Sequence, residues 1–256
     1  TSLKQAIYQA YLAKYKRSTL IFDTNNEYGI YEIDGVKHKI QTIGHNDIIK
    51  FGNATINEVR RIVPFHPGGF PMSPEEVEPL LIKVINFYRG GTLIIEDLNR
   101  IYADSLPKSV SGLLCNVRHR NCDVVFHLQS ISRLLPKMLQ NAKIIRYHYQ
   151  LDSIEASKEK LDDEIEIFKL TEKLVNTEFN NGNRHFLVYV YREDKKIKGK
   201  FSPRMFTTAI QEYLSENIKV VKPLLEKRNA QGKKINTYEQ AQRLKTEELF
   251  HRYYGN

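Results

Sequence analysis

The sequence predicts an α/β fold with a mainly parallel central sheet and helices on both faces. Short apolar runs alternate with helical patterns from residue 18 to residue 150, and most of these runs are nearly continuous, as is typical of strands buried on both faces. Three of the runs end in polar side chains. In a parallel sheet the carboxyl ends of the strands meet at one edge, where ligands bind, so we expect functional residues just after each strand.

Length and composition favour one main domain. The chain has 256 residues, of which 41% are apolar and 27% charged, and its formal net charge is +9. The mean hydropathy of −0.48 excludes a membrane-embedded protein. No run approaches the roughly 18 apolar residues of a membrane span, and the first residues lack the pattern of a signal peptide, so we expect a soluble, cytoplasmic protein. The basic balance favours a polyanionic partner such as nucleic acid, or else a solvated surface that only maintains solubility.

The first part of the chain combines one helix with four strands. Apolar residues at helical spacing predict an amphipathic helix over residues 2–16. The apolar and alternating segments after this helix predict strands at Ser18–Asp23, Tyr31–Ile33, Val36–Ile40 and Val59–Phe65, with the second and third paired as a hairpin.

A capped helix precedes the next strand. Ser73 is a good N-cap, a proline follows it, and Glu76 stands three residues later as in a capping box. We expect this helix to run to about Tyr88 and to stop at the glycines 90 and 91. Residues 92–95 then form a strand.

The remainder continues the alternation and then becomes helical and basic. We expect a helix over 107–118, a strand over 122–130, a short helix over 131–140, a strand over 142–150, charged helical surface over 155–179 and a hairpin over 185–203. The predicted domains are a core over residues 1–202 and a basic helical C-terminal region over 203–256, whose last part, 237–254, is predicted to be a peripheral arm.

Polar residues end three of the predicted strands. Asp23 ends the first, with Glu27 close behind; Glu96 and Asp97 end another; Gln129 ends a third. ATPases place one acid on Mg²⁺ and a second acid or an amide on the attacking water in this way. A single such strand end is equally well explained as a helix cap, whereas three in one sheet favour a catalytic site.

Three segments carry a family resemblance. STLIFDTNNEYG (18–29) is similar to a strand and turn of the type DPHGEYG, TLIIEDLNRIY (92–102) to a Walker B strand, and NVRHRNCDVVFHLQS (116–130) to the pattern GRKYGLSLILATQS, which couples an intersubunit arginine to a glutamine-ended strand. Together they resemble the HerA branch of the HerA/FtsK superfamily of P-loop ATPases. The opening TSLKQAIYQAYL resembles the residues that come directly after Gly-Lys in a Walker A loop. The resemblance covers about the first 150 residues.

The resemblance implies a RecA-like P-loop NTPase core with ATP and Mg²⁺ as cofactors. It implies Thr1 and Glu96 as Mg²⁺ ligands, Asp97 as the base that orients water, Gln129 as a γ-phosphate sensor and Arg118 as an arginine finger for the neighbouring subunit. The residues implied at the catalytic centre are Asp97, Glu96, Gln129, Arg118 and Glu27, and those at the nucleotide are Thr1, Ser2 and Asp23.

The function that this resemblance implies is an ATP-driven DNA translocase or genome-packaging motor. It implies a ring-shaped homo-oligomer, a hexamer in the family, that contacts DNA through its backbone without reading sequence. The expected location is the cytoplasm of a bacterial or archaeal cell, and the small size favours a virus- or mobile-element-encoded protein.

Two departures from the family pattern keep an alternative open. The glycine-rich loop and lysine of Walker A are not in the sequence, and the usual Asp-Glu order is here Glu96-Asp97. Both favour a non-hydrolysing structural or assembly relative, which Gly-Lys directly before Thr1 would exclude. A small-molecule phosphotransferase is disfavoured because residues 118–129 resemble a ring motor.

Several other polar residues have simpler interpretations. His119 and Arg120 could replace Arg118 as the trans-acting group, or could merely lie at a solvated helix end. His127 is interpreted as a hydrogen-bonded core histidine. Cys115 and Cys122 are interpreted as free thiols, since they and the nearby histidines lack the spacing of a metal site.

Overall fold

The computed structural model describes residues 18–33, 35–52, 58–102, 110–112 and 121–256. Contacts divide the chain into two compact units, of which the first runs to residue 129 and includes 133–137, and the second comprises 130–132 and 138–256. The helix predicted over 2–16 and most of the one over 107–118 lie outside the described residues. The domain boundary expected at residue 203 stays a prediction. The two units describe how contacts cluster and do not test where a domain of separate function begins.

The first unit is built on a five-stranded sheet in the order β4-β5-β1-β6-β7, and every neighbouring pair in it is parallel. This confirms the predicted α/β class with a parallel central sheet. The strands are β1 (Thr19–Phe22), β4 (Gln41–Thr42), β5 (Val59–Ile62), β6 (Thr92–Ile95) and β7 (Asp123–Phe126).

The core of this unit lies on the central strands. All four residues of β1 are buried, and β6 is buried from Leu93 onward. The hairpin β2 (Ile30–Ile33) and β3 (Val36–Lys39) is antiparallel, as predicted. Tyr31 of this hairpin packs in one cluster with Ile21 and Ile94 of the sheet, so one face of the central strands has an apolar cover.

Helices flank the sheet. They are α1 (Ile48–Gly52), α2 (Pro74–Phe87) and α3 (Leu98–Ile101). The predicted start of α2 is confirmed, because Ser73 is its N-cap and the Glu76 carboxylate accepts the Ser73 backbone N–H at 2.8 Å. Val77, Leu81 and Val84 are buried on one stripe of this helix.

The second unit contains a three-stranded antiparallel sheet in the order β10-β9-β8, formed by β8 (Ile144–His148), β9 (Leu187–Tyr191) and β10 (Lys196–Gly199). The hairpin of β9 and β10 was predicted. The assignment of residues 142–150 to the parallel alternation is wrong, since β8 pairs with β9. The strand alternates between Tyr147, which is buried, and the half-buried Arg146 and His148, a pattern typical of antiparallel sheets with one buried face.

Helices and short 3₁₀ turns form the rest of the second unit, and two of them also include residues of the range 133–137, which belongs to the first unit. The 3₁₀ turns are Ile131–Arg133, Ile154–Ser157 and Asp162–Glu164, and the helices are α4 (Pro136–Asn141), α5 (Lys158–Leu161), α6 (Ile165–Asn180), α7 (Pro203–Glu216), α8 (Ile218–Leu225) and α9 (Tyr238–Tyr253).

The last helix, α9, is part of this unit's core. Ala241, Leu249 and Tyr253 are buried, α9 contacts α7, and the Tyr253 hydroxyl donates to the Glu166 carboxylate at 2.6 Å. The prediction of a peripheral arm over 237–254 is therefore wrong. The few buried residues of this helix are separated in the sequence by many charged residues, so the sequence pattern does not show them. No helix in the described part of the chain is long and apolar enough to cross a membrane.

Substitution of Gly91 by alanine should destabilise the first unit. A Cβ at this position would overlap the Ser18 carbonyl oxygen and the Tyr88 hydroxyl, which bond to each other at 2.7 Å. We expect the free energy of unfolding to fall by about 1–3 kcal/mol or more, the usual cost of overpacking. Urea denaturation measures it. Gly112→Ala is the control, since a Cβ there meets nothing within 4 Å; equal stability of the two variants would contradict this packing.

Candidate active site

Strand register brings three polar residues into one row at the carboxyl edge of the sheet. The last residues of β1, β6 and β7 are paired across the three strands, so the residues that come after them, Asp23, Glu96 and His127, are neighbours. The N–H groups of Glu96 and His127 extend the ladder by donating to carbonyl oxygens of the adjacent strands at 3.1 and 3.0 Å. Side chains at one register of a parallel sheet share a face, so two carboxylates and an imidazole meet here.

Asp23 is fully buried, and its carboxylate is held from three directions. One oxygen accepts a hydrogen bond from the backbone N–H of Glu27 at 3.0 Å. The other accepts hydrogen bonds from the backbone N–H of Tyr28 at 3.0 Å and from the Arg61 guanidinium at 2.8 Å. Arg61 in turn donates from Nε to the Thr42 hydroxyl at 3.1 Å. The contacts of Asp23 therefore fix the turn that carries Glu27, whose side chain is exposed.

Glu96 is also buried, and its partners are His127 and Tyr28. Nδ1 of His127 lies 2.6 Å from Oε1 of Glu96, with the two side chains 20% and 7% exposed. By geometry, no donor in the described residues is aligned for a hydrogen bond with Oε1, although the His127 ring nitrogen lies against it. Burial raises the pKa of the Tyr28 hydroxyl, and the Glu96 carboxylate that this hydroxyl contacts raises it further.

Asp97 has an unusual backbone and a different partner. Its φ of 42° and ψ of 48° lie in the left-handed region, which non-glycine residues seldom adopt. The Asn25 amide donates to its carboxylate at 2.8 Å, and the hydroxyl of the adjacent Thr24 donates to the Glu96 carbonyl oxygen at 2.8 Å. The segment after β1 thus holds both acids that follow β6.

The described structure brings together some of the predicted site residues. Asp23, Glu96 and Asp97 are joined through the contacts above, and Gln129 is exposed three residues beyond the end of β7. The predicted roles of these residues stay predictions. Thr1, Ser2 and Arg118 lie outside the described residues, as do His119, Arg120 and Cys115.

Sequence reasoning missed four residues of this site. Thr24 and Asn25 follow Asp23 directly, so their position after a strand end was a usable signal. Arg61 is a charged residue in a strand with buried ends, which predicts a buried partner. His127 was interpreted as a core histidine, and only the strand register places it beside Glu96.

The side chains here fit a hard divalent cation. Glu96 Oε1 is a buried carboxylate oxygen that has the His127 ring nitrogen at 2.6 Å but no aligned hydrogen-bond donor among the described residues, and Asp97 supplies a second carboxylate on the same strand end. Mg²⁺ prefers oxygen ligands and is usually held by one or two carboxylates together with substrate phosphates and water. A bound Mg²⁺ would neutralise charge that develops on a transferred phosphoryl group.

Comparison with known proteins shows the fold. No protein-family model matches the chain. No curated protein matches it in sequence. Its structure is similar to that of the genome packaging NTPase B204 from Sulfolobus turreted icosahedral virus 2 in complex with AMP, with a TM-score of 0.51 and 16% identity over 77% of this chain and 88% of that chain. The same NTPase in complex with AMPPCP gives a TM-score of 0.51 at 15% identity over the same shares of both chains. The likeness confirms the α/β fold with a parallel central sheet.

Removing the partner of buried Asp23 should be costly. Arg61→Met keeps the aliphatic packing but leaves an uncompensated buried carboxylate, for which we expect a loss of about 3–5 kcal/mol in the free energy of unfolding. Arg60→Met on the same strand is the matched control, because Arg60 pairs with Glu58 at the surface, where a pair contributes about 0–1 kcal/mol. Chemical denaturation of both variants measures the difference; similar losses would contradict a structural role for the Arg61–Asp23 pair.

Proposed function

We propose that the chain is an ATP-driven motor subunit of the DNA-translocating or genome-packaging type. The observation that carries the proposal is the row of Asp23, Glu96 and His127 at the carboxyl edge of three parallel strands, with Asp97 beside it. This edge is where α/β proteins bind nucleotides. The fold shared with a packaging NTPase that binds AMP and AMPPCP supports the same class of ligand.

Each acid of the proposed site has its own task. Glu96, together with the Thr1 hydroxyl, would hold Mg²⁺ on the phosphates of ATP. Asp97 would orient the attacking water and accept its proton, while Gln129 would sense the γ-phosphate. Ser2 and Asp23 are assigned to the nucleotide side of the site. Within the described contacts, Asp23 acts by fixing the turn that presents Glu27.

Two positioning contacts support this division of roles. His127 and Tyr28 meet the Glu96 carboxylate, which limits its orientation at the strand end. Asn25 holds the Asp97 carboxylate at 2.8 Å. Catalysis of phosphoryl transfer depends on positioning and on electrostatic stabilisation, so preset acids are what the reaction needs.

We also propose that the chain works in a ring of identical subunits, with six as the number that the family resemblance implies. Arg118 would reach the neighbouring subunit's site and stabilise the negative charge of the transition state. DNA would be bound through its phosphates without sequence preference, which the formal net charge of +9 supports.

A non-hydrolysing relative is the second candidate, and one contact favours it. The Asn25 amide occupies Oδ2 of Asp97, so only the other carboxylate oxygen is left to accept a proton from water. If this bond persists with nucleotide bound, the chain would bind ATP without turning it over. Phosphate release by the unaltered chain, measured with Mg²⁺ and DNA present, separates the two candidates.

Asp97→Asn should separate binding from hydrolysis. Asparagine tolerates the left-handed backbone and keeps an oxygen for Asn25, but it is a far weaker proton acceptor. We expect kcat for ATP hydrolysis to fall by about 10²–10⁴-fold, with ATP affinity changed only a few-fold. Asp123→Asn is the matched control at the opposite end of β7, and it should leave kcat unchanged. Undiminished turnover in the Asp97 variant would refute its role as base.

Arg118→Ala should abolish DNA-stimulated hydrolysis and retain nucleotide binding, because the finger contacts only the transition state of the adjacent subunit. Mixing this variant with Asp97→Asn tests action in trans. An intact Asp97 site would then receive the arginine of the other variant, so the mixture should recover part of the activity that neither variant has alone. His119→Ala and Arg120→Ala are measured in the same way and should keep DNA-stimulated hydrolysis if Arg118 is the finger. No recovery in an assembly shown by mass to contain both variants would argue against a finger in trans.

A further inference from the structure

The segment between α8 and α9 forms a compact hairpin. In this basic hairpin, residues 227–235, the Asn229 N–H donates to the Lys233 carbonyl oxygen at 2.9 Å and the Ile235 N–H to the Lys227 carbonyl oxygen at 3.0 Å. The Gly232 N–H closes the turn on the Asn229 carbonyl oxygen at 3.0 Å. The segment therefore has a defined backbone although all of its residues are exposed.

The sequence N-A-Q-G-K dictates this turn. The Asn229 side-chain oxygen accepts the N–H groups of Gln231 and Lys233 at 3.0 and 2.9 Å, and Gly232 has a φ of +77°, which suits glycine. The ends of the hairpin are also tied, because the Asn236 amide donates to the Leu224 carbonyl oxygen at 2.9 Å. Groups presented on such a turn lose little backbone entropy on binding.

Charge on the basic hairpin has one sign. Lys227, Arg228, Lys233 and Lys234 are its four cations, and no acid occurs from residue 227 to residue 235. Within the part of the chain that the structure describes, none of the four lies within ion-pair distance of a carboxylate. Other exposed lysines of this unit differ: Lys195, for example, pairs with Asp163 at 3.0 Å.

The fold places two of these cations directly opposite each other. Arg228 and Lys234 form an antiparallel bridge. The two backbone bonds of the ladder flank this bridge, which makes it the non-hydrogen-bonded pair, in which side chains approach most closely. Like charges at such a position are destabilising unless an anion neutralises them. The Arg228 guanidinium is held near the turn by its bond to the Gly232 carbonyl oxygen at 2.7 Å.

We infer that the basic hairpin is a binding site for the phosphate backbone of double-stranded DNA. The choice of DNA rests on the proposed function, whereas the polyanion follows from the charges alone. Residues 227–235 include no aromatic side chain on which unpaired bases could stack, which disfavours single-stranded nucleic acid. Ile235 is the one large apolar side chain of residues 227–235, and the turn residues Ala230, Gln231 and Gly232 add none, so the hairpin has too little apolar surface to anchor in a membrane. Phosphate contacts of this kind carry no sequence information.

The test neutralises the hairpin and compares it with a charge-matched control. One variant of the full chain carries Lys227→Gln, Arg228→Gln, Lys233→Gln and Lys234→Gln. The control carries Lys158→Gln, Lys195→Gln, Lys200→Gln and Lys219→Gln, four exposed lysines of the same unit. Both sets lower the formal net charge from +9 to +5. A third variant exchanges lysine and arginine at the four hairpin positions and so keeps the charge.

The readout is the affinity for a mixed-sequence DNA duplex across a series of salt concentrations without nucleotide. Each phosphate contact contributes about 0.9 to the slope of log affinity against log salt, so the neutralised hairpin should reduce the slope by about 3–4 and the affinity at least tenfold. The control and the charge-keeping variant should behave as the unaltered chain does. Equal loss in the hairpin and control variants would overturn the inference, as would unchanged binding in the hairpin variant.

Two further arms test other polyanions and the dependence on the proposed function. Single-stranded DNA of the same sequence and vesicles containing phosphatidylserine are tested in parallel, and a hairpin-dependent preference for either over the duplex would overturn the inference. ATP hydrolysis without DNA should be the same in all variants. A chain that binds duplex DNA through the hairpin but never hydrolyses ATP would contradict the proposed function and support the hairpin site. A chain that hydrolyses ATP but binds DNA independently of the hairpin would support the proposed function and contradict the hairpin site.

Discussion

The common register of three parallel strands is the constraint on which the first unit depends. It aligns Asp23, Glu96 and His127 at one edge and on one face, where two buried carboxylates would repel each other without partners. Arg61 compensates the first and His127 lies against the second. A buried charge without a partner costs several kcal/mol, so fold and site must form together.

The same contacts explain how a strand can end in charge inside an apolar sheet. Up to the last residue of β6 the side chains pack against the neighbouring strands and the β2–β3 hairpin, and after that residue the strand ends. There the Thr24 hydroxyl donates a hydrogen bond to the Glu96 carbonyl oxygen, and the Asn25 amide donates one to the Asp97 carboxylate. The strand end is thus held by hydrogen bonds from the segment after β1, and it includes the left-handed residue Asp97.

Much of the fold and the place of the strand-end acids in the sheet were predictable from the sequence, because apolar runs, capping residues and strand-end acids are local signals. The start of α2 at Ser73 and the strand that leads to Glu96 are examples. Pairing between distant segments is not a local signal. The antiparallel partner of β8, the Arg61–Asp23 pair and the contact of His127 with Glu96 all depend on register or on tertiary packing, and α9 was misjudged because its charged residues outnumber its buried ones.

We propose that the acids at this sheet edge hold Mg²⁺ and the phosphates of ATP. The most direct measurement is an experimental structure of the chain with Mg²⁺ and a non-hydrolysable ATP analogue. We expect the γ-phosphate beside the strand end of β6, with Mg²⁺ bound directly or through one water to Glu96, and with Asp97 facing the attacking-water position. Nucleotide bound away from this edge, with Glu96 and Asp97 keeping only their contacts to His127 and Asn25, would contradict it.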